Sequence, residues 1–187
     1  VIVFAIFVPF KPELRRALEQ LGRKRIVPSL FGTSNSSERF PRETEKCYEE
    51  IIKAVFDMAK VKTGALIVVE RQVVLSEYER TGIPLDAQVS SQLLINIFEH
   101  NTPLHDGAVF IRNNRIVAAT CYLPLSENEK LSKALGTRHR AGVGISEISD
   151  CITIIVSEET GFVSVARDGI LHSHLSVSEL RRELQET

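Results

Sequence analysis

Two short polar segments carry residue types that do chemistry together. Leu104-His105-Asp106-Gly107-Ala108 sets a carboxylate and an imidazole beside a glycine, at the mouth of an apolar run. Further on, Gly136-Thr137-Arg138-His139-Arg140 gathers two guanidinium groups, an imidazole and a hydroxyl. A carboxylate such as Asp106 holds a divalent cation, and a glycine such as Gly107 lets backbone approach a phosphate or ribose. His105 is either a second ligand, favouring a transition metal such as Mn over Mg alone, or a packed histidine with a satisfied hydrogen bond. Arginines at the start of a helix oppose its dipole, so they fit best with an anion among them, where guanidinium forks and free N–H groups converge. Each segment also has a plain reading, an Asp-Gly turn for the first and a solvated basic turn for the second. Read together, they point to a metal ion and a polyphosphate at one site.

A third segment, Ser157-Glu158-Glu159-Thr160-Gly161, joins two apolar runs. It reads as a polar hairpin loop, but it lies at the end of a central strand, where open α/β sheets bind ligands. Asp150 is too distant along the chain to be taken as the arginines' partner. His172 and His174 read as surface residues. The sequence holds no P-loop, no Gly-x-Gly-x-x-Gly, no His-Glu-x-x-His and no Gly-x-Ser-x-Gly, which removes the common nucleotide and hydrolase motifs as explanations.

The elements that must position these residues follow from apolar spacing. Pro12 to Leu21 predicts a short helix stopped by Gly22, and residues 23–40 a linker. Glu43 to Lys60 has helical spacing through Ile51, Ile52, Val55, Phe56 and Ala59. Gly64 to Val69 is a continuous apolar run, expected as a central strand covered on both faces. Val89 to Phe98 reads as a helix capped by Ser90 or Ser91. Ala108–Ile111 and Ile116–Leu123 read as strands joined by a tight Asn113-Asn114 turn. That turn sets Arg112 opposite Arg115 and, carried back along the ladder, Asp106 opposite Cys121 and His105 near Tyr122. Arg138 to Ile148 is weakly helical. Cys151–Val156 and Gly161–Ala166 pair as strands, and a helix follows Ser176. Strands and helices mix without strict alternation, so the expected class is a single α/β domain with a central mixed twisted sheet flanked by helices.

The chain has 187 residues and a formal net charge of −1, which suits one domain with a real core and argues against non-specific nucleic-acid binding. Its three cysteines fit no zinc spacing, and Cys121 and Cys151 read as buried thiols. The apolar start Val1–Val8 is too short to cross a bilayer, which takes about 20 residues. It is either a buried N-terminal element or the trailing end of a truncated transmembrane helix. The following Lys11, Arg15, Arg16, Arg23, Lys24 and Arg25 mark a cytoplasmic side.

Asp106-Gly107-Ala108 and Arg138-His139-Arg140 resemble the two signature motifs of the diadenylate cyclase (DAC, or DisA N-terminal) domain family. The flanks Asn101-Thr102-Pro103-Leu104-His105, Leu135-Gly136-Thr137, Gly82-Ile83-Pro84-Leu85-Asp86 and Ser157 to Gly161 resemble its membrane-anchored CdaA-type branch. The likeness runs from about Pro12 to Ser176. It implies condensation of two ATP into cyclic di-AMP with release of two pyrophosphates, at a face-to-face homodimer that brings two half-sites together. It implies a divalent metal (Mn2+, Mg2+ or Co2+) on Asp106 and His105. Asp106, Gly107, Ala108, Arg138, His139 and Arg140 would form the catalytic motifs. Tyr122, Leu123, Gly136, Thr137, Arg138, Ser157 and Glu159 would hold ATP. The expected organisation is the end of a transmembrane helix over 1–10, a juxtamembrane helix and linker over 11–40, and the catalytic domain over 41–187, on the cytoplasmic face of a bacterial membrane. The resemblance also implies a YbbR-domain regulator and a phosphoglucosamine mutase as partners, and no nucleic acid. Gly142 stands where many relatives carry Ala, and is expected to add only backbone freedom. The alternatives are a non-catalytic sensor of ATP or a cyclic dinucleotide and a metal-dependent phosphohydrolase. The first has no need of Asp106, and the second usually shows more ligands than are found here.

Overall fold

The computed structural model describes residues 39–129, 131–132 and 135–186. The helix expected over Pro12–Leu21 and the apolar start at Val1 lie outside them, as does the linker up to residue 38. Residues 39 and 40, assigned to that linker from sequence, already belong to the first described helix.

In chain order the elements are α1 (Arg39–Lys60), β1 (Ala65–Val69), α2 (Ser76–Glu79), β2 (Ile83–Gln88), α3 (Ser91–Phe98), β3 (Ala108–Arg112) and β4 (Arg115–Cys121). Then come α4 (Thr137–Ile148), β5 (Ile152–Val156), β6 (Val163–Arg167), β7 (Ile170–Ser173) and α5 (Val177–Gln185). The seven strands form one sheet in the order β2-β4-β3-β1-β5-β6-β7. Only β1 and β3 run parallel; every other neighbouring pair is antiparallel. The sheet is therefore mixed, and β1 is its middle strand, as its unbroken apolar run implies.

Alternation along β1 explains the layers, since successive side chains in a strand face opposite ways. Ala65, Ile67 and Val69 join Ile51, Val55 and Met58 of α1, Leu94 and Phe98 of α3, and Leu180 and Leu184 of α5 in one core. Leu66 and Val68 face the other way and join Phe110, Val143, Ile145 and Ile155, so α4 covers the second face. Helix ends are capped as the residues suggest. Ser90 accepts the Leu93 N–H at the start of α3, and Ser176 forms a capping box with Glu179 at the start of α5.

Helix α4 reads weakly in sequence because it has no single apolar stripe. Its residues from Ala141 to Ser146 are all buried, between the sheet and the segment after β4. Gly144 permits the second contact, since a Cβ there would meet the Pro124 carbonyl and lie 2.8 Å from the Ser126 nitrogen. Gly142 lies flush on β5, where a Cβ would come 2.9 Å from Ile155 Cδ1, so its role is close approach to the sheet.

The Asn113-Asn114 turn is present with both residues at positive φ, 50° and 62°, and Arg112 pairs with Arg115. The register expected beyond it is not kept. Irregularities on either side of Phe110 shift the pairing, so Ala108, not Asp106, stands opposite Cys121. Thr120, at φ 57°, lies in the second of these bulges. Strands β2 and β7 and the short α2 were not expected. The edge strand β2 contains Pro84 and a bulge next to Asp86; Ile83, Leu85 and Ala87 alternate along it, with Leu85 packed on the core and Ile83 exposed.

Candidate active site

The sheet register assembles the site. Strands β1 and β3 start at the same edge of the sheet, and the antiparallel β5 ends there. Continuing the pairings Ile67↔Val109 and Ala65↔Val156 to the strand ends puts Gly64 in one row between Asp106 and Ser157. Adjacent strands are about 4.8 Å apart, so Asp106 and the Ser157 turn stand roughly 10 Å apart across Gly64.

Arg138, in the first turn of α4, reaches into this row. Its Nη1 lies 2.5 Å from Glu158 Oε2. Gly64 makes the space, since a Cβ there would lie 2.8 Å from Arg138 Nη1 and 3.0 Å from Glu158 Oε2. Gly136 caps α4 with no side-chain hydrogen bond, and the first N–H groups of a helix have no intrahelical acceptor. The helix therefore presents amide donors and a guanidinium together. A cavity of about 380 Å³ opens here, lined by Gly136, Thr137, Arg138, His139, Ser157 and Glu159 among others. Burial holds the His139 imidazole below its usual pKa, against the opposing charge of Glu159, so His139 forms the cavity wall as a neutral ring.

The structure thus brings Gly136, Thr137, Arg138, His139, Ser157 and Glu159 to one cavity. Asp106, His105, Tyr122, Leu123 and Arg140 do not line it. Asp106 is exposed in the turn before β3. Gly107, at φ 96°, lies against Thr120 and Cys121, where a Cβ would come 2.8 Å from the Thr120 carbonyl carbon. This contact, combined with the shifted register, sets Tyr122 next to Gly107 and not beside His105. The Tyr122 side chain is exposed (73%), and its backbone N–H donates to Thr81 Oγ1 at 2.9 Å. Leu123 packs on the second core. The Arg140 carbonyl accepts the Ser126 N–H at 3.0 Å, tying the strand after Tyr122 to α4. Asp150 is not a partner of the arginines; its carboxylate accepts the Gln72 and Val73 N–H groups at 3.1 and 3.0 Å. Cys47, Cys121 and Cys151 are free and buried, and burial pushes the Cys121 thiol up to about 12.

His105 Nδ1 lies 2.6 Å from the Thr102 carbonyl. A carbonyl only accepts, so Nδ1 donates in this bond and Nε2 is the ring nitrogen left to face a ligand. Among the described residues no group of three His, Cys, Asp or Glu converges on one point. Asp106 and His105 by themselves would leave most of a cation's coordination to substrate phosphate and water, and an imidazole nitrogen suits an ion such as Mn2+ better than Mg2+.

Sequence reasoning missed Gly64, Glu158, Phe162 and His174. Glu158 stood in the quoted turn, but nothing in sequence says which of two adjacent glutamates meets Arg138. His174 is exposed, as expected, yet it lines the cavity with Phe162, their rings edge to face at 4.1 Å between centroids. His172 is a surface residue paired with Glu183 at 3.1 Å.

Residues 52–171 match the DAC family, described as DisA bacterial checkpoint controller nucleotide-binding. The chain is similar to the cyclic di-AMP synthase CdaA of Bacillus subtilis (strain 168), 56% identical over 181 residues, which is 97% of this chain and 64% of that protein. It is also similar to the diadenylate cyclase of Listeria monocytogenes serotype 1/2a (strain 10403S), 53% identical over 180 residues, 96% of this chain and 64% of the relative. The chain therefore spans just under two thirds of the length of these relatives. Among solved structures, a double mutant of DacA from Staphylococcus aureus superposes with a TM-score of 0.76 at 51% identity, covering 78% of this chain and 97% of that one. A hypothetical membrane spanning protein from Bacillus cereus matches with a TM-score of 0.67 at 45% identity, covering 68% of this chain and 63% of the other.

Proposed function

The chain belongs to the DAC family, and on that premise we propose that it condenses two ATP molecules into cyclic di-AMP, releasing two pyrophosphates. One observation carries the reading. The start of α4 with Arg138 and the Ser157 turn lie against Gly64, and the β1–β3 register carries Asp106 to the same end of the sheet.

In this reading Arg138, the amides opening α4 and the Ser157 hydroxyl hold the phosphates of one ATP. Tyr122 and Leu123 flank its adenine. Asp106, with His105, would hold a divalent cation, which when bound neutralises triphosphate charge. The Asp106 carboxylate draws the proton from an incoming 3′-hydroxyl. The 3′-oxygen then bonds to the α-phosphorus of the facing ATP as the bond to pyrophosphate breaks. Such a transfer depends on positioning and on charge neutralisation, which this rigid row of strand ends supplies. Asp106 is exposed and does not line the cavity. A second subunit facing it would bring the α-phosphate that the 3′-oxygen attacks, so the reading requires a homodimer.

Membrane attachment belongs to the same proposal. It is supported by the apolar run Val1–Val8, the basic residues after it and the solved relative described as membrane spanning. No helix among the described residues is long and apolar enough to cross a membrane.

The test at the residue level separates binding from turnover. Asp106→Asn should reduce cyclic di-AMP formation by at least about 100-fold, the scale of a lost acid–base group, while ATP affinity measured by calorimetry changes little. Full activity in that variant would refute the assignment of Asp106.

A further inference from the structure

We propose that Glu158 is an internal competitor for Arg138: in the ligand-free protein its carboxylate occupies the place of a substrate phosphate, and ATP binds by exchanging one anion for the other. This rests on the reading above that Arg138 takes a phosphate of ATP.

Among the described residues, Glu158 is the carboxylate within ion-pair distance of Arg138, at 2.5 Å. The two ends of the pair differ in freedom. The Arg138 side chain is 23% exposed, anchored between α4 and the strand ends, whereas that of Glu158 is 51% exposed on the solvent side. The backbone beneath Glu158 is held on both sides. Thr160 N–H donates to Ser157 Oγ at 3.2 Å, and Gly161 N–H to the Ser157 carbonyl at 2.8 Å. Only the Glu158 side chain has to rotate for Arg138 to become available, and it can do so without disturbing the turn that carries Ser157. Gly64 keeps the guanidinium where it is, because the absent Cβ leaves it lying flush on the strand end.

Two consequences follow. Arg138 is held in place before substrate arrives, so little side-chain order remains to be lost on binding. The apparent affinity is lowered by the fraction of molecules in which Glu158 blocks the guanidinium. A half-exposed ion pair sets the size of that effect, about two- to five-fold. Glu158 therefore tunes the affinity of the site without touching the reacting atoms.

The test is a double-mutant cycle on the full chain, read as the calorimetric affinity for 3′-deoxy-ATP, which cannot react onward. Glu158→Gln keeps the shape and removes the charge, and is expected to bind about two- to five-fold tighter. Arg138→Gln is expected to bind more weakly, and adding Glu158→Gln to it should bring no further gain. Thermal melts of all four proteins confirm that each is folded. Weaker binding by Glu158→Gln would overturn the proposal, because Glu158 would then be supporting Arg138. An equal gain with and without Arg138 would also overturn it, because the effect would then be bulk charge. In both cases, weaker binding by Arg138→Gln would leave the phosphate assignment standing. If Arg138→Gln binds as well as the parent, that assignment falls, and this proposal falls with it.

Discussion

Arg138 and Asp106 differ in what surrounds them, and their variants should fail in different ways. Arg138 is positioned by a missing atom, the Cβ of Gly64. Gly64→Ala would push a methyl group to 2.8 Å from the guanidinium nitrogen, and Arg138 and Glu158 would have to move. Gly64→Ala should raise the KM for ATP several-fold with a smaller fall in kcat, and stability by urea denaturation should change by less than about 1 kcal/mol, since the displaced groups are partly exposed. A fall in kcat with KM unchanged would contradict the role given to Gly64. At this scale the sequence was legible in part, since Asp106 and His105 do not line the cavity that the arginine motif and the Ser157 turn share. Arg138, Thr137, Ser157 and Glu159 do share a cavity. The neighbours that tune them were not legible, because Gly64 and His174 reach the site through strand register and backbone turns that no local spacing encodes.

At the level of elements, one contact seats α4 beside the site, and a second ties the strands together at the opposite end of β1 and β3. The first is the close approach of Gly144 to the chain at Pro124–Ser126, reinforced by Ser126 Oγ donating to Glu147 Oε1 at 2.6 Å. Backbone cannot yield as a side-chain tip does, so Gly144→Ala should cost about 1–3 kcal/mol in urea denaturation. It should also disturb Tyr122 and Leu123, which lie just upstream. A melt equal to the parent's would show that the segment moves freely. The second contact is the Glu70–Arg112–Glu79 cluster, which ties β1, β3 and α2. Burial, with the Glu70 side chain only 1% exposed, pushes its carboxyl up to about 7, and the neighbouring Glu79 adds to the rise. The Leu75 N–H and Arg112 act in the other direction, but Arg112 is shared with Glu79, so burial prevails. A carboxyl raised in the folded state favours folding while it is protonated. Its contribution is complete below the ordinary carboxyl pKa of about 4.3 and is lost as pH rises through about 7. In Glu70→Gln, which stays neutral, the fall in the urea midpoint between those values should flatten; an unchanged slope would exclude Glu70 as its source.

Elements were read from sequence where their pattern was strong. The apolar run of β1, the stripe of α1 and the paired asparagines of the β3–β4 turn all emerged in place. The ladder beyond that turn was misread because the bulges flanking Phe110 involve residues, Thr120 among them, with no turn signature. The edge strand β2 was missed although Ile83, Leu85 and Ala87 alternate, because Pro84 and Asp86 between them read as turn residues.

Across the described residues, one mixed sheet carries helices on both faces, and the candidate motifs lie toward the end of it where β1 and β3 start and β5 stops. Fold class was legible because alternation and helical spacing report layers directly. Assembly was less so, since the need for a second subunit comes from the chemistry of joining two nucleotides and from the exposed position of Asp106. Turnover should accordingly depend on association. Specific activity should rise with protein concentration and level off once the dimer is complete, and a flat profile from dilute monomer upward would contradict the half-site account. The most direct test of the central claim is to incubate the full-length chain at high concentration with ATP and Mn2+, Mg2+ or Co2+. Products are resolved by chromatography while released pyrophosphate is measured in the same sample. The account predicts cyclic di-AMP with two pyrophosphates for each molecule formed. Free phosphate with AMP or ADP, or bound ATP recovered unchanged from a dimeric sample, would contradict it.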